Sequence, residues 1–168
     1  MSLILACVTA VLMLAVDQIT KYIVMANMEL GQTIDFIDGV LNFTYIHNDG
    51  GAWGLFGGYR TLLLVVTGVV MLALLFFLIK NHRKSKLFFW SGCLIISGGI
   101  GNMLDRIFHG GNVVDFFDVA FIDFPVFNVA DCAVVIGVVL LILYFIEDTI
   151  KDEKAKKSAA QKSKKEDE

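Results

Sequence analysis

The sequence predicts an all-α membrane protein: four transmembrane helices with a small extracytoplasmic β-sheet and an outer loop. Three observations predict it. The 168 residues are 57% hydrophobic with a single proline, and mean hydropathy is +0.71; a soluble domain is nearer half apolar, with its apolar residues dispersed. Here they lie in four runs of about 20, the length that crosses a ~30 Å hydrocarbon layer. The basic residues are segregated: of 14 Lys and Arg, four fall in 80–86 and seven in 151–168.

The first span covers about 3–25. No Lys or Arg precedes it, and its tail holds Asp17, Gln18, Thr20 and Lys21 rather than a small-residue cleavage site, so it reads as an uncleaved span. Residues 26–59 form the first loop. Leu41, Phe43 and Tyr45 alternate with Asn42 and Thr44 there, which predicts a strand over 39–46. Asn48-Asp49-Gly50-Gly51 is a turn sequence, with a second short strand expected over 52–56. The second span is 60–80 and the third 87–108, the latter carrying Gly98, Gly99 and Gly101. Residues 109–124 form the outer loop. The fourth span is 125–146, opening on Pro125 where the missing N–H costs least. Residues 1–150 therefore form one domain, and 151–168 a polar Lys/Glu-rich tail, disordered or loosely helical.

Lys and Arg mark cytoplasmic loops, so the 80–86 loop and both termini face the cytoplasm. The tail's lysines read as that topology signal rather than as a binding arm, and no nucleic-acid partner is expected. Cys7, Cys93 and Cys132 all fall inside apolar runs and read as small buried hydrophobes, without disulfide or metal roles. No His/Glu spacing for zinc appears.

This topology brings the buried charges to one height. Asp17, Lys21, Asn102, Asp105 and Arg106 fall near the outer ends of spans one and three, and Asn128 and Asp131 near the outer start of span four. Charges at such depth cost several kcal/mol by insertion scales and are usually functional. Asp17 and Lys21 are spaced i,i+4, as are Asn102 and Arg106, so each pair shares a helix face. Asp17 with Lys21 and Asp105 with Arg106 read as compensated scaffolding. Asp131 has no basic neighbour in sequence. Paired with a loop carboxylate, Asp115 or Asp118, it would share a proton near neutral pH. One carboxylate then serves as base toward water and the other as acid toward a carbonyl. That chemistry hydrolyses peptide bonds without metal or covalent intermediate. Asp115 and Asp118 both flank Phe116-Phe117, and spacing does not separate them.

Two other classes compete. A proton-coupled transporter would use Asp105 and Asp131 as a relay, but would need polar groups continuing toward the cytoplasm; beyond Thr67, Ser91 and Ser97 there are few. A non-catalytic assembly factor would tolerate loss of the carboxylates.

Five segments in order carry a resemblance: Asp17-Gln-Ile-Thr-Lys21, Asn48-Asp-Gly-Gly-Ala-Trp53, Gly98-Gly-Ile-Gly-Asn-Met-Leu-Asp-Arg106, Val114-Asp-Phe116 and Phe127-Asn-Val-Ala-Asp131. Together they resemble the bacterial lipoprotein signal peptidase family, signal peptidase II. Gly51 and Trp53 stand where that family more often has Ala and Phe. The resemblance implies a cofactor-free aspartic endopeptidase of the bacterial cytoplasmic membrane. It would cut diacylglyceryl-modified prolipoproteins just before the lipidated cysteine, and work among membrane lipids as a monomer. It selects Asp115 over Asp118 as the partner of Asp131, and assigns supporting positions to Asp17, Lys21, Asn48, Gly50, Asn102, Asp105, Arg106, Asn128 and Ala130.

Overall fold

The computed structural model describes residues 2–50, 59–81 and 84–166. Four helices dominate: α1 (Ser2–Asn27), α2 (Arg60–Lys80), α3 (Lys86–Phe108) and α4 (Val129–Glu166), joined by strands β1 (Thr33–Ile37), β2 (Leu41–Asn48) and β3 (Val113–Val119). All four helices are long and apolar enough to cross a membrane. The second strand expected in the first loop, over 52–56, lies outside the described residues.

Helix α3 is the hub and packs against α1, α2 and α4. Half of its apolar window is buried within the protein, against 6% of that of α2. Its glycines make this approach possible. A Cβ at Gly98 would overlap the Ala130 carbonyl of α4, and one at Gly99 would meet the Met71 sulfur of α2. Small residues at such contacts let helix backbones close up where no hydrophobic effect drives association. Gly98→Ala is therefore expected to destabilise the protein by about 1–3 kcal/mol, since a backbone atom blocks the added methyl. Gly92→Ala meets only the Leu78 side chain, which can rotate away, so its loss should be smaller. Thermal unfolding of the two variants in one detergent makes the comparison; equal losses would refute it.

The fourth helix differs from expectation at both ends. It begins at Val129, not at Pro125, because Phe127 is still bonded to β3. The Phe116 and Phe117 N–H groups donate to the Phe127 carbonyl (3.0 and 2.8 Å), and the Phe127 N–H donates to the Phe117 carbonyl (3.0 Å). At its far end α4 runs through the polar tail to Glu166 as one helix of 38 residues.

The sheet is antiparallel in the order β1-β2-β3. β1 and β2 form a hairpin whose connection uses Gly39 at φ 65°. Within the expected outer loop of 109–124, Val113–Val119 forms a strand, β3, although it lacks polar alternation. It is a strand because Gly110 and Gly111, at φ 63° and 92°, turn the chain sharply off α3 and lay it along β2. Between Phe43 and Ile46, β2 spends three steps where β3 spends two from Phe117 to Asp115. This bulge bends the sheet beside Asp115. Val24, Tyr45, Val114 and Phe116 form the buried cluster that fixes the sheet to the end of α1.

Candidate active site

Asp115 and Asp131 line one cavity of about 310 Å³. Asn48, Asn102 and Arg106 are its other polar walls, and the remaining walls are apolar or proline. Asp115 is the third residue of β3 and 1% exposed. Asp131 lies in the first turn of α4.

Local sequence fixes Asp131. Asn128 precedes the helix, and its side-chain oxygen accepts the Asp131 N–H at 3.0 Å. In return the Asp131 Oδ2 accepts the Asn128 N–H at 3.1 Å. This reciprocal pair is a capping box, which satisfies two otherwise orphaned donors at a helix start. The other oxygen, Oδ1, accepts from Asn102 Nδ2 at 2.7 Å.

Asp115 is held from both sides by amides. Its Oδ1 accepts from Asn128 Nδ2 at 2.6 Å and its Oδ2 from Asn48 Nδ2 at 2.8 Å. Asn48 is set in turn by its own oxygen, which accepts the Gly50 N–H at 3.0 Å. Asn128 thus touches both carboxylates. All four carboxylate oxygens rest on neutral N–H donors, and neither group joins an ion pair among the described residues. Burial, followed by the nearby charge of Asp131, pushes the Asp115 carboxyl from 3.8 up to about 7, against the Asn48 and Asn128 hydrogen bonds that lower it.

A separate, fully buried ion cluster braces the site. Lys21 Nζ lies 2.9 Å from Asp17 Oδ2, 2.8 Å from Asp105 Oδ2 and 3.0 Å from Asn102 Oδ1. All three charged side chains are about 1% exposed. Asp17 reaches α4 by accepting the Ala130 N–H at 2.8 Å. Asp105 reaches β3 by accepting the Val114 N–H at 3.1 Å. The expected i,i+4 pairing of Asp17 with Lys21 is present. The expected pairing of Asp105 with Arg106 is not, because consecutive helical residues point about 100° apart and Asp105 turns to Lys21 instead. Arg106 faces the cavity. One of its terminal nitrogens donates to the Asn102 carbonyl at 3.3 Å, and its Nε is buried with no hydrogen-bond partner among the described residues.

Strand geometry separates the two aspartates that spacing left equivalent. Asp115 and Asp118 are three apart on β3, so they lie on opposite faces. Asp118 accepts a hydrogen bond from Thr44 Oγ1 at 2.6 Å, away from the cavity. Gln18 was not among the expected site residues. Its amide donates to Asp17 and Asp105, both at 3.1 Å, and to the Gly101 carbonyl at 3.3 Å. The signal for it was position: a polar side chain next to Asp17 inside an apolar span.

Buried neutral amides around two carboxylates, beside an apolar cavity, suit proton transfer to and from a bound carbonyl and water. Comparison with known proteins bears on which reaction this is. Residues 9–147 match the family model described as signal peptidase (SPase) II. A lipoprotein signal peptidase of Enterococcus faecalis is 39% identical over 137 residues, covering 82% of this chain and 84% of that protein. One from Staphylococcus aureus is 38% identical over 142 residues, covering 83% and 86%. A solved structure described as a bacterial membrane enzyme, obtained by the in meso method at 2.3 Å, superposes with a TM-score of 0.81. It is 36% identical, and the match covers 86% of this chain and 88% of that one.

Proposed function

Because the chain belongs to the signal peptidase II family, aspartic-type peptidases that remove signal peptides from lipoproteins, we propose that Asp115 and Asp131 are its reacting pair. The observation that carries this reading is their meeting in one cavity, with every carboxylate oxygen held by a neutral amide. Lys21 and Arg106 lie nearby, but neither pairs directly with these carboxylates among the described residues, and burial outweighs their pull at Asp115, so one proton is shared between the two near neutral pH. The ionised carboxylate takes a proton from water as the water oxygen attacks the scissile carbonyl carbon. The protonated one gives its proton to the carbonyl oxygen. The tetrahedral diol then collapses and the C–N bond breaks: the leaving nitrogen takes the proton held by the first carboxylate, and a diol hydroxyl returns its proton to the second.

The bond cut is the one preceding a cysteine that already carries diacylglycerol. The Lys and Arg bias of the 80–86 loop and the tail supports cytoplasmic termini. The cavity then opens toward the outer leaflet, where the acyl chains of such a cysteine reside. Asp17, Lys21, Asn102, Asp105, Asn128 and the Ala130 N–H hold the pair in place. Asn48 and Gly50 set it from the sheet side, and Arg106 contributes donors to the cavity wall. Residues 1–150 form the peptidase domain, working as a monomer, and 151–168 a cytoplasmic extension.

The experiment that tests the pair is cleavage of a diacylglyceryl-modified precursor across pH. The folded-state carboxyl of Asp115, at about 7, lies above its ordinary 3.8, so the folded protein binds more protons than the unfolded chain between those values. Rising pH through about 7 removes the shared proton. The rate should fall there, whereas thermal stability should decline as pH rises from 3.8 toward about 7 and level off above it. A rate that stays flat from pH 5 to 9 would rule out the shared proton.

A further inference from the structure

Adjacent residues of a strand point to opposite faces. Asp115 lines the reaction cavity, whereas Phe116 lines a second one of about 330 Å³ between the end of α1 and the sheet. Phe117 at the rim, Ile23 and Val24 of α1 with Met28 just beyond it, and Ile34 and Phe43 of the hairpin form its other apolar walls. Its polar members, Thr20 and Asn27, are turned into their own helix. Thr20 Oγ1 donates to the Val16 or Asp17 carbonyl (2.8 and 2.9 Å), and Asn27 Nδ2 to the Ile23 carbonyl (2.7 Å). The side toward α1 is open: Ile23 is 53% and Ile34 43% exposed, continuous with exposed Ile19 and Tyr22 on the same spanning helix.

These features restrict the occupant. An extended peptide would pair with the edge of β1, in the plane of the sheet and not in this cavity over its face. A helix, ~10–12 Å across, is too wide for the space. An alkyl chain needs no partner and fits. We infer that the cavity behind Phe116 holds an acyl chain of a membrane phospholipid, entering from the bilayer along α1. That the chain is not the substrate's own rests on placing the reaction at Asp115 and Asp131, because β3 then stands between the bound cysteine and this cavity. The lipid fills space directly behind the strand that carries Asp115, and so supports that strand from its far face.

The test uses full-length protein in bilayer nanodiscs and two photoreactive probes. One is phosphatidylglycerol with a diazirine in an acyl chain; the other is a diacylglyceryl-modified precursor peptide labelled likewise. Phosphatidylglycerol is expected to label residues 20–28 and 34–43, which line the second cavity and not the first, in excess of 142–150, a lipid-facing stretch that serves as control. The excess should be lost in Ile34→Trp, which fills the cavity from the hairpin, and in Thr20→Phe, which fills it from the helix, with labelling of 142–150 retained as a sign of folding. Labelling no greater than that of the control stretch, or undiminished in both variants, would overturn the assignment. So would labelling of the same residues by the precursor probe, which would make the cavity a substrate subsite. Labelling needs no turnover, so Asp131→Asn protein gives the same pattern whether or not that carboxylate reacts.

Discussion

Asp131→Asn is expected to lower the cleavage rate of a lipidated precursor toward the full ~10⁴-fold that a general acid–base group can contribute. Asn cannot accept the water proton or hold the shared one. The change is nearly isosteric, so the helix start should survive. The side-chain oxygen of the new Asn can keep one of the two bonds now made to Asn102 Nδ2 and the Asn128 N–H. Asp115→Asn should lose activity to a similar extent. Its oxygen can still accept from Asn128, while its new NH2 group meets the Asn48 amide, which is not free to turn because its oxygen holds the Gly50 N–H. A modest loss of stability is therefore expected at position 115. Both variants are to be purified, their melting measured, and product formation followed with the modified precursor. Turnover within tenfold of the parent by either folded variant would remove that residue from the chemistry.

The second large effect is expected on stability. Lys21→Met replaces the only cation touching Asp17 and Asp105 among the described residues with an apolar chain of similar length. Two carboxylates about 1% exposed would then lack a counter-charge, and breaking a buried pair in this way costs about 3–5 kcal/mol. Activity should fall too, because the stranded carboxylates hold the Ala130 N–H of α4 and the Val114 N–H of β3, the backbone flanking the two residues proposed to react. Lys21→Met combined with Asp105→Asn leaves one bare charge rather than two and should recover part of the stability. Thermal unfolding of the parent and the two variants in one detergent reads this out. An unchanged melting temperature for Lys21→Met would show that the cluster contributes nothing.

The four spans were legible because each is a continuous apolar run, a signal of composition that needs no partner. The meeting of Asp17, Lys21, Asn102, Asp105 and Asn128 was legible from topology and helical spacing. Asp115 was not separable from Asp118 by the residues alone, since the decisive fact was that they share a strand, and strand parity then separates them. That strand was hidden because both its faces are covered at its start: Val113 to Phe116 are all buried, so no alternation shows. The Asp105–Lys21 contact was missed for a related reason. It joins two helices 84 positions apart, while Arg106 stood next door in sequence and drew the pairing.

The capping and ion-pair contacts also bear on how the protein comes into being at the ribosome. Asp17 and Lys21 neutralise one another within α1, so α1, made before α3 and α4, can wait in the bilayer without a bare charge. Its remaining contacts come from later segments: Asp105 and Asn102 on α3, then the Ala130 N–H on α4. Asp131 itself arrives with that last helix. If Asp115 and Asp131 react as proposed, a nascent chain carries no complete pair until α4 docks, and the same docking event completes the scaffold.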